Sequence, residues 1–148
     1  INIGSIAGRI GVPYRTLYSA SKASIEVFTD GLRIELKRFG VHASLIEPGD
    51  LCPGMVGGVS AEDYDSDSVA VGVSKIARED EMSGTPQQVV ADTVLKIIND
   101  PAPGARYLVG IDAWLVWFVT RFLPHALGEW ALMFHYRVPS SVPRSKGD

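Results

Sequence analysis

Three side chains near the start of the chain have the types and spacing to move a proton: Ser5, Tyr18 and Lys22. Tyr18 and Lys22 stand four residues apart with only Ser19, Ala20 and Ser21 between them. On a helix the phenol and the ammonium therefore share one face, one turn apart. A tyrosine hydroxyl titrates near ~10 when unperturbed, and a fixed cation beside it favours the phenolate. Drawing such a group down to working pH takes roughly 3 to 4 kcal/mol, which asks for a second positive charge besides Lys22. The pair alone reads equally as an exposed i,i+4 contact. Ser5 adds weight: it follows the apolar run Ile1-Asn2-Ile3-Gly4, stands where a strand should end, and lies thirteen residues before Tyr18.

The elements that must position these groups can be read outward from them. Residues 1–4 form the end of a parallel strand, and residues 5–11 a small-residue loop where backbone can pass close to a ligand. Arg9, Tyr14 and Arg15 read as solvated or rim residues. Thr16 is placed to cap a helix over residues 16–39, stopped by Gly40. That helix carries two apolar stripes, Ile25, Phe28, Leu32, Leu36 and Phe39 on one side and Ala20, Ala23, Val27 and Ile34 on another, so it asks for two partners. Glu26, Asp30, Arg33 and Lys37 continue the side begun by Tyr18 and Lys22 and read as a solvated face.

Residues 41–47 form a second strand closed by Pro48-Gly49, giving a right-handed βαβ unit with parallel strands. Ligands of such sheets bind beyond the carboxyl ends of the strands, which puts Ser5 and the Pro48-Gly49 turn on one edge. Residues 50–84 are long and irregular, with an acidic run from Glu62 to Asp67; they read as a substrate lid with a short helix near 69–77. Thr85-Pro86-Gln87-Gln88 has the form of a capping box before a helix over 86–98 that buries Val90, Val94, Ile97 and Ile98. Arg106-Tyr107-Leu108-Val109-Gly110 is a third strand.

After Asp112 the chain becomes strongly apolar, with Trp114, Trp117, Phe118, Phe122, Trp130 and Phe134. Arg121 interrupts the run short of the ~20 residues needed to span a bilayer. Three uses stay open: lining a lipophilic pocket, packing on another subunit, or lying in a membrane interface. Residues 139–148 read as a disordered polar tail, leaving 1–138 as one domain or a large part of one.

Composition narrows the function classes. In 148 residues, 46% are hydrophobic and 21% charged, the balance of a globular protein, and the net charge of −3 with scattered Lys and Arg argues against a nucleic-acid partner. A lone cysteine, Cys52, excludes an internal disulfide and fits a reducing, cytoplasmic setting. His42, His125 and His135 are too widely spaced for a metal motif.

Asn2-Ile3-Gly4-Ser5-Ile6-Ala7-Gly8, Pro13, Tyr18-Ser19-Ala20-Ser21-Lys22-Ala23 and Pro48-Gly49 together resemble the catalytic segment of the short-chain dehydrogenase/reductases. The resemblance implies a doubly wound, Rossmann-like α/β domain of which this is the carboxyl-terminal half. It implies hydride transfer between NAD or NADP and a carbonyl or alcohol. Tyr18 would be the acid or base, Ser5 would fix the reacting oxygen, and Lys22 would bond the nicotinamide ribose, the oxidised ring supplying the second positive charge. Pro48, Gly49, Asp50 and Leu51 would cover the nicotinamide, and Pro53 stands where the family has threonine. The glycine-rich dinucleotide loop is expected upstream, since no such cluster follows a strand here. By itself the 148-residue piece is expected to be poorly folded and inactive. A homo-oligomer is expected of the whole protein.

The sequence from Arg106 to Pro124 more faintly resembles retinol- and hydroxysteroid-dehydrogenase-like members, which implies a lipophilic substrate. Two alternatives remain: a non-catalytic relative that binds a partner or membrane through its apolar tail, and a sugar-nucleotide epimerase or dehydratase, which shares the Tyr-x-x-x-Lys element.

Overall fold

The structure, a computed structural model, describes residues 1–52 and 69–140. Gly54, Gly57, Gly58, Pro53, the acidic run 62–67 and the tail 141–148 lie outside the described residues, as does the part of the expected lid over 53–68.

Three parallel strands form the main sheet: β1 (Asn2–Ile3), β2 (Leu45–Pro48) and β5 (Arg106–Val109), in the order β1-β2-β5. Asn2 pairs with Leu45 and Ile3 with Ile46, while Leu45 to Pro48 run in register with Arg106 to Val109. The central strand is buried throughout, as a parallel strand covered on both faces must be. It is shorter than the seven-residue strand expected, because the ladder begins only at Leu45; the preceding Ala43 and Ser44 are bonded by carbonyl and hydroxyl to Arg33 and to the carbonyl of Gly104. Between β2 and α3 (Gln87–Asn99), two short strands, β3 (Leu51–Cys52) and β4 (Thr85–Pro86), make a separate parallel pair. The helix α2 (Val69–Ser83) runs to Ser83 instead of stopping near Ala77.

Helix α1 (Thr16–Leu36) connects β1 to β2 and passes into a 3-10 turn that ends at Gly40. Thr16 is its first residue and not its cap, and Arg15 in the cap position makes no side-chain cap bond. Its start is held differently: the N–H of Val12 donates to Ser19 Oγ at 3.2 Å, so the chain before the helix is tied to the helix's own second turn. The expected solvated face is a correction. Arg106 on β5 meets Glu26 at 2.9 Å and Asp30 at 2.6 Å, and Arg33 donates to the carbonyl of Ala43 at 2.7 Å, because this side of α1 lies across the sheet. The expectation that one apolar stripe packs on the sheet is also corrected: Phe28 is 60% and Phe39 64% exposed in the first stripe, Val27 74% and Ile34 78% in the second, because the buried side of α1 carries Ser19 and Thr29.

α3 begins at Gln87. Thr85 and Pro86 are spent in β4, so no capping box forms. Ile97 joins Ile46 and Val109 in the core with Val90, Val94 and Tyr107 against them. Ile98 is exposed, since the next helical position turns ~100° away from Ile97. The apolar run after Gly110 is a helical pair, α4 (Ile111–Phe122) and α5 (His125–His135), broken at Leu123-Pro124. Among the described residues no helix is long and apolar enough to cross a membrane.

Candidate active site at the carboxyl edge of the sheet

Because β1 and β2 are parallel, the residues that leave them emerge on the same edge, Ser5 from one and Pro48-Gly49-Asp50 from the other. Ser5 is buried, has extended backbone and opens a 3-10 turn over Ile6–Gly8. Its hydroxyl oxygen accepts the N–H of Ala7 at 3.1 Å. That bond uses a lone pair and not the hydroxyl hydrogen. The turn packs on α1 closely enough that a Cβ at Gly8 would meet Glu26 Oε1 at 2.6 Å and the backbone of Ala23 at 3.0 Å. Only glycine lets the Ser5 loop lie so near the helix that carries Tyr18 and Lys22.

Lys22 joins the two segments. Its Nζ donates to the carbonyl of Ile3, at the end of β1, at 3.3 Å, and lies 5.6 Å from the centre of the Tyr18 ring. The ammonium thus stands between the phenol and the strand that delivers Ser5, with one of its three N–H donors used. Ser5 and Tyr18 are not joined by a hydrogen bond among the described residues, nor is Ser5 bonded to Lys22.

The expected cofactor-covering turn is tied internally. The N–H of Gly49 donates to Val109 at 2.9 Å, that of Asp50 to Asp112 Oδ2 at 2.5 Å, and the Asp50 carbonyl accepts from Thr85 at 2.8 Å. Pro48 closes β2 and Leu51 opens β3. A Cβ on Gly49 would overlap the Asp112 carboxylate, and Gly110, with φ of 102°, turns the chain into α4 so that Asp112 can reach back. Burial, then the nearby Asp112, Asp80 and Glu81, push the Asp50 carboxyl up to about 6 against the pull of Arg15. Burial and the same acidic surroundings raise Tyr136 to about 12, so its phenol stays protonated at neutral pH.

Beside this edge lies a cleft of about 760 Å³, walled by Ile6 and Ile10 of the first loop and by Leu115, Val119 and Leu132 of α4 and α5. Asp50, Asp80 and Asp112 also line it, and Asp80 is bonded to His135 Nε2 at 2.8 Å.

A family model described as short chain dehydrogenase matches residues 1–63, the part that contains Ser5, Tyr18, Lys22 and Pro48-Gly49. A probable short-chain type dehydrogenase/reductase, VdlC, of Helicobacter pylori is 35% identical over 83% of this chain and 47% of its own length. The chain belongs to the short-chain dehydrogenase/reductase family. Other relatives are a 3-ketodihydrosphingosine reductase of Bacteroides thetaiotaomicron, 27% identical over 93% of this chain and 54% of its own length, and the 17-beta-hydroxysteroid dehydrogenase type 6 of Rattus norvegicus, 28% identical over 96% and 50%. A short-chain dehydrogenase from Streptomyces avermitilis shares the fold, with a TM-score of 0.67 at 21% identity over 92% of this chain and 49% of that one. The chain spans about half the length of the curated relatives it matches.

Sequence reasoning missed the ion-pair network under the family's serine loop. Glu47, wholly buried in β2, takes both oxygens to Arg9, at 2.7 and 3.1 Å, and also meets Arg106 at 3.3 Å. Arg9 is therefore a structural partner of the sheet and not a rim residue. The signal was a carboxylate inside Leu-Ile-Glu-Pro, which a buried strand tolerates only with a cation supplied from elsewhere. Burial alone would lower the pKa of Arg106, but the bonds to Glu26 and Asp30 and the charge of Glu47 outweigh it and raise it. Among the described residues no group of acidic, histidine or cysteine side chains forms a metal site.

Proposed function

We propose that residues 1–138 are the carboxyl-terminal half of a cytoplasmic NAD- or NADP-dependent oxidoreductase that interconverts a carbonyl and an alcohol on a lipophilic substrate. The observation that carries this reading is the seat of Lys22, which reaches the end of β1 at Ile3 while standing against the ring of Tyr18. Tyr18 gives a proton to the substrate oxygen in reduction and takes it back in oxidation. Ser5 donates its hydroxyl hydrogen to that oxygen, the lone pair it lends Ala7 orienting it. The two unspent donors of Lys22 fit the hydroxyls of a nicotinamide ribose. A nicotinamide held by these residues would supply or accept the hydride. Since Gly49 N–H, Asp50 N–H and Asp50 carbonyl are already engaged, Tyr18 and Lys22 carry more of the contact with the cofactor than the turn does.

The lipophilic substrate class is supported by the apolar wall of the cleft and by the names of relatives that act on a ketodihydrosphingosine and a hydroxysteroid. The outward stripe of α1 is the face on which a second subunit or the other half of the domain would pack. In the longer protein that carries this chain, Tyr18→Phe should lower turnover by two decades or more at unchanged fold, measured by nucleotide absorbance and circular dichroism. Wild-type turnover in that variant would overturn the assignment.

A second reading is favoured by one observation: Trp114, Phe118, Phe122, Trp130 and Phe134 of α4 and α5 are exposed, as they would be in a non-catalytic relative that docks on a partner or membrane. Titration of the longer protein with NADPH and NADH separates the two, since the second reading expects neither to bind.

A further inference from the structure

The apolar cleft is not apolar all round. Among the described residues four carboxylates line it, Asp50, Asp80, Asp112 and Glu129, and the one arginine, Arg9, is committed at two points to the buried Glu47. The other basic groups of the described lining are His125 and His135, of which His135 is bonded to Asp80. Asp112 is occupied with the N–H of Asp50. Nearby Arg15 is bonded to Glu81. The described lining thus carries more negative charge than its own cations neutralise, in a cavity that Ile6, Ile10, Leu115, Val119 and Leu132 also line.

Carboxylates accept hydrogen bonds and donate none, so a ligand seated against them must bring donors. A hydroxyl would satisfy the oxygens and leave the surplus charge in place, and an anionic head would add to it. An ammonium does both tasks, with three donors and a unit charge, and such a contact at ~4 Å is worth several-fold more in a half-buried site than in water. The upward displacement of Asp50, caused by burial and then by Asp112, Asp80 and Glu81, reports the same uncompensated field. The volume suits one small amphiphile, within the roughly 300–1,000 Å³ usual for ligand sites.

We infer that the cleft takes a lipophilic amine, its protonated nitrogen between Asp50 and Asp80 and its hydrocarbon along Ile10, Leu115, Val119 and Leu132. The inference rests on the oxidoreductase reading above for its biological sense, the amine being borne by the substrate.

The test is a binding titration on the longer protein, without nucleotide, at pH 7.5 and below micelle concentrations. Dodecylamine, dodecanol and dodecanoate are compared through the fluorescence of Trp114, Trp117 and Trp130. Dodecylamine should bind at least 10-fold tighter than dodecanol, with dodecanoate weakest. Asp50→Asn and Asp80→Asn should each cut the advantage of the amine several-fold and leave dodecanol unmoved. Should these variants fail to fold, raising salt on the unmodified protein must weaken dodecylamine and not dodecanol. Equal affinities for the three, preference for dodecanoate, or an amine advantage indifferent to both variants or to salt overturns the inference. Since no hydride is transferred in the titration, its failure leaves the redox reading standing, and an active Tyr18→Phe enzyme would leave the amine preference standing.

Discussion

Glu47 shows how much one side chain can hold when it has no route to water. Its two oxygens receive Arg9 from the loop after β1 and Arg106 from β5, while its own backbone is in β2. Glu47→Ala would leave Arg9 without its carboxylate and Arg106 with only Glu26 and Asp30, and a buried pair broken on one side costs about 3 to 5 kcal/mol. Urea denaturation of the longer protein should show a loss of at least 2 kcal/mol, with Glu47→Leu less damaging than Glu47→Ala because it refills the volume. Asp50 works in the opposite sense. Its folded pKa of about 6 stands above the ordinary 3.8, so the native state keeps a proton that the unfolded chain has released. The stability this gives is present below pH 3.8 and is lost as pH rises through 6, so ionised Asp50 is a net cost at neutrality. Asp50→Asn should therefore raise stability at pH 7.5 and not at pH 4. The gain is on the order of 1 kcal/mol after solvent screening, and a melting-temperature series across that window would reveal it.

At the scale of elements, the turn between β2 and β3 is clamped by the start of α4. Asp112 bonds the N–H of Asp50 over a Gly49 that has no room for a side chain. Gly49→Ala should cost roughly 1 to 3 kcal/mol by overpacking and should raise KM for nucleotide more than it lowers kcat, since it displaces the turn and leaves Tyr18 in place. Unchanged melting and KM would show that the clamp is dispensable. This coupling was not legible in the sequence, where Gly110 and Asp112 stand 61 and 63 residues after Gly49 and are brought back to it only by the pairing of β5 with β2. What was legible is local: the apolar runs that became β1, β2 and β5, and the four-residue step from Tyr18 to Lys22. The same locality explains the misses. The row Glu26, Asp30 and Arg33 has the look of a solvated face until Arg106 and the carbonyl of Ala43 are brought up to it. Thr85 and Pro86 have the spelling of a helix cap, but a ladder with Leu51 and Cys52 claimed them first.

For the molecule as a whole, the outward stripe of α1 is, with the exposed aromatics of α4 and α5, an unanswered demand of the fold. Val27 and Ile34 project from a helix whose inner side carries Ser19 and Thr29, small polar groups that let it lie close to the sheet. A stripe of this kind on a 21-residue helix calls for a partner element. Val27→Glu with Ile34→Glu should halve the mass of the longer protein in analytical ultracentrifugation if the partner is a second subunit, and should lower its melting temperature at unchanged mass if the partner is in the same chain. Neither change would mean that the stripe is tolerated bare.

The Arg9, Glu47 and Arg106 contact also has a bearing on how the strands find one another. Side chains alternate sides along a strand, so a slip of β2 by a single position would turn Glu47 to the opposite face, strand Arg9 and leave Arg106 with Glu26 and Asp30 alone. Misaligned pairings of β1, β2 and β5 are thereby penalised before the helices close over them, and the carboxylate serves as the alignment pin of a sheet too short to align itself by its ladder alone.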